Sequence, residues 1–153
     1  MSAFRFRAGV VLDLRSREER HAATVLARAE TTLAHASARA SDAVSARQAA
    51  QAVELDRQRQ GATSTEIEWH RNWITWLSAR VHESIAEIET CARTLRSAEQ
   101  ARLDARRLRL TLERMRERAW RRYQRDQQHQ ELKLINELAT LRHGTPDLWR
   151  DDS

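Results

Sequence analysis

The sequence predicts an all-α fold, a long antiparallel two-helix coiled-coil hairpin with a C-terminal helical overhang. Three observations carry that prediction. The 153 residues include only three glycines and one proline, so little interrupts a helix. Hydrophobic residues make up 41% of the chain but aromatics only 5%, against 32% charged. With helical periodicity, that mixture marks long helices stabilised along a seam rather than around a globular core. The one convincing break, Gln60-Gly61-Ala62-Thr63-Ser64-Thr65-Glu66, lies between two heptad-patterned arms. We place arm one at about 5–60, the turn at about 60–66 and arm two at about 66–142, with a short tail, all in one hairpin spanning 1–153.

The turn has its own chemistry. Glycine just past a periodic run is the usual residue after a helix C-cap, because it takes the left-handed conformation without a Cβ penalty. Thr63 with Glu66, or Thr65 with Glu68, offers a capping box to start the second helix.

Arm one opens with Phe4, Phe6, Val10, Val11, Leu12 and Leu14, where Gly9 is expected to fray or bend the helix start. It then settles into a heptad with Ala22, Ala29, Ala36, Ala43 and Ala50 on one line. Arg39, Arg47, Arg57 and Arg59, with Asp42, Glu54 and Asp56, read as a solvated face. Arm two has the bulk that arm one lacks, with Ile74, Val81, Ile88 and Leu95 also at seven-residue spacing. Folding the chain about Ala62 pairs residues whose numbers add to 124. Ala50 then meets Ile74, Ala43 meets Val81, Ala36 meets Ile88 and Ala29 meets Leu95.

The stripe resumes as Ala98, Ala105, Leu112 and Ala119, with Leu108 and Met115 beside it. In this register the first residue pairs near Tyr123, leaving an overhang of about 20 residues before Gly144 and Pro146 end the helix. The overhang carries Leu132, Leu134, Ile135, Leu138 and Leu141 without a partner in the hairpin. An exposed apolar stripe rimmed by charge marks a protein contact. Trp69, Trp73, Trp76 and Leu77 follow the turn at spacings of three and four, so they either cover the hairpin tip or form a contact surface.

Catalytic chemistry finds little footing. His21, His35, His70, His82, His129 and His143 are scattered, and His82-Glu83 lacks the second histidine of a zinc-protease helix. Cys91 is the single cysteine, which leaves no cysteine pair for a metal site. There is no glycine-rich phosphate loop. We expect no enzyme activity, no cofactor, no metal and no small-molecule substrate. No apolar run approaches a bilayer span and Met1-Ser-Ala-Phe-Arg-Phe-Arg has no signal-peptide core, so a cytoplasmic location is expected.

The net charge is +5 and the pI about 10.7, carried by arginine. Ten arginines crowd 102–125 against Asp104, Glu113 and Glu117, with Trp120 and Tyr123 interleaved. A basic nucleic-acid-binding coiled coil is the alternative function this run suggests. Against it, the arginines read as surrounding the helix and no base-reading motif accompanies them. A generic structural scaffold is a third possibility.

The chain resembles the FliJ family of flagellar export proteins and their injectisome counterparts, the YscO-type stalk proteins. The resemblance rests on Val-Leu-Asp-Leu-Arg at 11–15, Glu18-Glu19 and Ala22-Ala23. It continues in Gly61 before Trp69 and Asn72-Trp73-Ile74-Thr75-Trp76-Leu77, and in Glu131-Leu-Lys-Leu-Ile-Asn-Glu-Leu-Ala139. The family usually has Tyr and Phe where this chain has Trp73 and Trp76. Its first arm is also bulkier near the tip than Ala43, Ala46 and Ala50.

The resemblance implies a non-enzymatic central stalk of a bacterial type III export apparatus, similar to the central stalk of rotary ATP synthases. Its paired ends would enter a hexameric export ATPase ring through Val11, Leu14, Leu132, Ile135, Leu138 and Leu141. Trp69, Trp73, Trp76 and Leu77 would face the membrane export gate protein. The location implied is cytoplasmic and peripherally associated with the inner-membrane apparatus. Flagellar members also recycle empty export chaperones, a role that no residue here marks. Flagellum and injectisome both remain open.

Overall fold

The computed structural model describes residues 3–143. Two long α-helices fill almost all of that span, α1 (Gly9–Arg59) and α2 (Ser64–His143), and there is no strand among the described residues. The helices pack against each other as a hairpin. The expected helix stop at Gly144 and Pro146 lies outside the described residues.

The turn is built from two interlocking caps. Gly61 has φ +83°, the left-handed conformation that its lack of a Cβ permits. Its N–H donates to the Gln58 carbonyl at 3.2 Å, and the Ala62 N–H donates to the Arg57 carbonyl at 3.0 Å. That pair of bonds is the Schellman arrangement, which satisfies carbonyls that the end of α1 would otherwise orphan. On the other side, the Thr63 N–H donates to Glu66 Oε2 at 2.9 Å, while the Glu66 N–H donates to Thr63 Oγ1 at 3.3 Å. Of the two candidate capping boxes, Thr63 with Glu66 is the one that forms. Arg57 and Arg59 in the last turn of α1 and Glu66 in the first turn of α2 also oppose the helix dipoles favourably.

Arm one starts later than expected. Residues 3–8 are not helical, and α1 begins at Gly9 itself. The first turn of α1 has no acidic residue, and no Ser, Thr, Asp or Asn stands at its cap. The segment makes a tertiary contact instead. Phe4 sets its ring edge-on to Trp120, centroids 5.0 Å apart, and also meets Tyr123 at 5.6 Å.

The chain divides into two compact units, residues 17–106 and residues 1–16 with 107–153. In the first, Leu26, Ala29, Ala36, Ala40, Leu77, Val81 and Ala98 are buried. Leu26, Ala29 and Ala98 form one cluster with Leu95 packed against it, a grouping compatible with the register that pairs Ala29 with Leu95. Ala36 is wholly enclosed, at 0% exposure. Small residues on one helix let the other's aliphatics approach closely, and each large side chain so covered contributes about 1.5–3 kcal/mol. Arg39 pairs with Glu87, and Arg71 Nε lies 3.5 Å from Glu54 Oε1. These pairs stand within two positions of the same register, flanking the seam.

Arg47 departs from the solvated face expected for it. It is half-buried, and its Nε is closed off without a hydrogen-bond partner.

In the other unit Leu12 is buried, and Leu112 and Ala119 are half-buried. The Phe4–Trp120 contact obeys the register here too. Leu108 and Met115, placed beside the stripe by sequence, remain exposed.

Candidate functional site

Side-chain exposure separates the four residues expected at the hairpin tip. Trp69, Trp73 and Trp76 are 63%, 42% and 48% exposed, whereas Leu77 is 6% exposed. Leu77 therefore packs into the seam in the free chain. At about 100° per residue, each step along α2 turns the next side chain well away from its neighbour, and Leu77 turns inward while Trp76 turns out.

The three tryptophans stack along one face of α2. Trp69 and Trp73 are nearly parallel at 9° with centroids 6.4 Å apart, and Trp73 and Trp76 lie at 14° and 4.9 Å. His70 meets Trp69 edge-on at 5.1 Å, and the Arg80 guanidinium sits 5.1 Å from the centroid of Trp76. Ring stacking and the cation–π contact hold the row in one shape before any partner arrives. The row is a preformed, exposed aromatic ridge.

Close to the ridge, the Glu66 carboxyl is held below its ordinary pKa. The principal causes are hydrogen bonds from the Thr63 backbone and then the Thr63 side chain, with Arg57 and His70 adding smaller attractions. Charge at this cap is structural.

The second candidate surface is the last part of α2. Leu132, Leu134, Ile135, Leu138 and Leu141 are 57–72% exposed. Counting by helical turns, Leu134, Leu138 and Leu141 share the face of α2 that Tyr123 presents to Phe4. The overhang thus prolongs the apolar seam beyond the last residue of the N-terminal segment that covers it. Val11 and Leu14 are also exposed. In the register set by Phe4 and Trp120 they stand opposite residues near 113 and 110, about 30 Å along the axis from Leu132. They form a patch separate from the overhang, not a continuous one.

Two features escaped the sequence. Trp120 and Tyr123, read with the arginines, instead stack on each other at 5.6 Å and hold Phe4. Extending the register to Phe4 would have found them. The arginine run as a whole does encircle α2, yet Arg118, Arg121, Arg122 and Arg125 share one face and line one cavity with Phe6, Met115 and Ala119. Their spacing of three, four and seven was the available signal.

No set of residues that could hold a metal ion occurs among the described residues, and no helix there is long and apolar enough to cross a membrane. No protein-family model matches the chain, and no curated protein does. Among solved structures, the fold is similar to that of CT670 from Chlamydia trachomatis, a candidate YscO homologue. The TM-score is 0.57 over 92% of this chain and 96% of that one, at 18% identity. The likeness covers nearly the whole of both chains, so the two-helix architecture is shared from end to end.

Proposed function

We propose that this chain is the stalk of a bacterial type III export apparatus, coupling a hexameric export ATPase to the membrane export gate. The observation that carries the proposal is the polarity of α2. It bears an exposed leucine stripe on its last turns and a preformed tryptophan ridge on its first, with a hairpin fold similar to that of a YscO homologue. A coupling element needs two dissimilar contact surfaces, and α2 carries both.

Leu132, Leu134, Ile135, Leu138 and Leu141 enter the ATPase ring, with Val11 and Leu14 forming a second band of contact about 30 Å away. Trp69, Trp73 and Trp76 face the gate protein, with Leu77 supporting them from the seam. The chain acts without catalysing a reaction, and its place is the cytoplasmic side of the inner membrane, peripherally attached. Export chaperones are further partners by the same analogy.

The test is the hydrolysis rate and oligomeric state of the cognate export ATPase with and without the full chain. Faster hydrolysis and a shift toward hexamer support the stalk; no change, together with no co-purification, defeats it. Leu138→Glu with Leu141→Glu should abolish both effects while the helical circular dichroism stays unchanged, because these side chains are exposed in the free chain.

A further inference from the structure

Beside the non-helical segment at residues 3–8, Arg118, Arg121, Arg122 and Arg125 line a cavity of about 690 Å³ with Phe6, Met115 and Ala119. We infer that this cavity is a binding site for a compact polyanion of the oligophosphate class.

Three observations favour that ligand. Positions 118, 121, 122 and 125 lie within one arc of α2, so four arginine side chains line the same groove. Their hydrogen-bonding capacity is largely unspent. Arg118 and Arg125 each commit only Nε, to the carbonyls of Arg114 and Arg121 at 3.4 Å, and Arg122 has no ion pair or hydrogen bond among the described residues. Only Arg121 has a carboxylate partner, Glu117. Asp126 stands one turn beyond Arg122 and is not paired with it. Finally, the groove's volume lies in the range of small-molecule sites, about 300–1,000 Å³.

The planar guanidinium matches phosphate oxygens two at a time, which gives such a cluster geometric preference for phosphate over a single carboxylate. Phe6 and Met115 supply an apolar wall on one side. The same phosphate chemistry could come from inorganic polyphosphate or from the tail of a nucleoside triphosphate, and the Phe6 wall would favour the second.

The experiment is calorimetric titration of the full chain, without any ATPase, using sodium tripolyphosphate and ATP as separate probes. A triple variant, Arg118→Gln, Arg122→Gln and Arg125→Gln, is compared with an equal loss of charge at Arg93, Arg96 and Arg102. The site predicts saturable binding of at least one probe, weakened about tenfold or more by the first triple and less than about twofold by the second. Phe6→Ala weakening ATP but not tripolyphosphate identifies the nucleotide as the source; equal affinities in both arms identify the phosphate chain alone. Equal weakening by both triples, or binding of a single-stranded oligonucleotide without either probe, overturns the proposal. Because the assay contains no ATPase, its failure leaves the stalk function standing.

Discussion

Trp76 and Leu77 are adjacent in sequence and opposite in environment, one 48% exposed and the other 6%. Truncating them should therefore separate stability from contact. Leu77→Ala leaves a void in the seam and is expected to cost about 2–4 kcal/mol in denaturant unfolding. Trp76→Ala, at the exposed position, should cost less, about 1 kcal/mol for the lost ring stacking. The Glu66 carboxylate gives a second residue-scale prediction, this time in pH. Its pKa is lowered by folding, so its contribution is present above the ordinary glutamate range and is lost as pH falls through the lowered value. The stability advantage of the wild type over Glu66→Gln should therefore be seen at neutral pH and vanish in acid. An advantage that grew on acidification would contradict the cap described for Thr63 and Glu66. Sequence spacing alone grouped Leu77 with the tryptophans, because positions 73, 76 and 77 are all neighbours on a helix surface. Only the line along which α1 meets α2 decides which of them turns inward.

The two helices owe their register to the turn between them. Gly61 at φ +83° closes α1, and Ala substituted there would be forced into a strained left-handed conformation, lowering stability by about 1 kcal/mol. Beyond that loss, the seam itself can be read by crosslinking. In a Cys91→Ser background, cysteines at positions 29 and 95 should form a disulfide readily, while cysteines at 36 and 95 should not, since the register pairs 29 with 95 and Leu95 packs against the cluster that holds Ala29. The alanine line of arm one and the aliphatic line of arm two made this pairing legible, because a heptad pattern and one glycine suffice to set it. Residues 3–8 were not legible in the same way. Phe4 there meets Trp120 and Tyr123, more than a hundred positions away, a contact that only the register carried to the chain's start could have pointed to. The shared face of Arg118, Arg122 and Arg125 beside Phe6 was legible only in their spacing, which the surrounding arginines obscured.

For the molecule as a whole, the proposed stalk function assigns the two exposed surfaces on α2 to two separable partners. The leucines from 132 to 141 continue the seam face past its N-terminal cover, and the tryptophans at 69, 73 and 76 form a stacked ridge on the first turns of α2. Neither surface contributes much to the folded state, so each can be altered while the hairpin stays intact. The most direct measurement is binding of the full chain to the export ATPase and, separately, to the cytoplasmic part of the export gate. It is made for two variants, Leu138→Glu with Leu141→Glu, and Trp73→Ala with Trp76→Ala. A stalk predicts a crossed result, with the leucine variant losing the ATPase but keeping the gate and the tryptophan variant doing the reverse. Loss of both partners by either variant, or of neither by both, would contradict it.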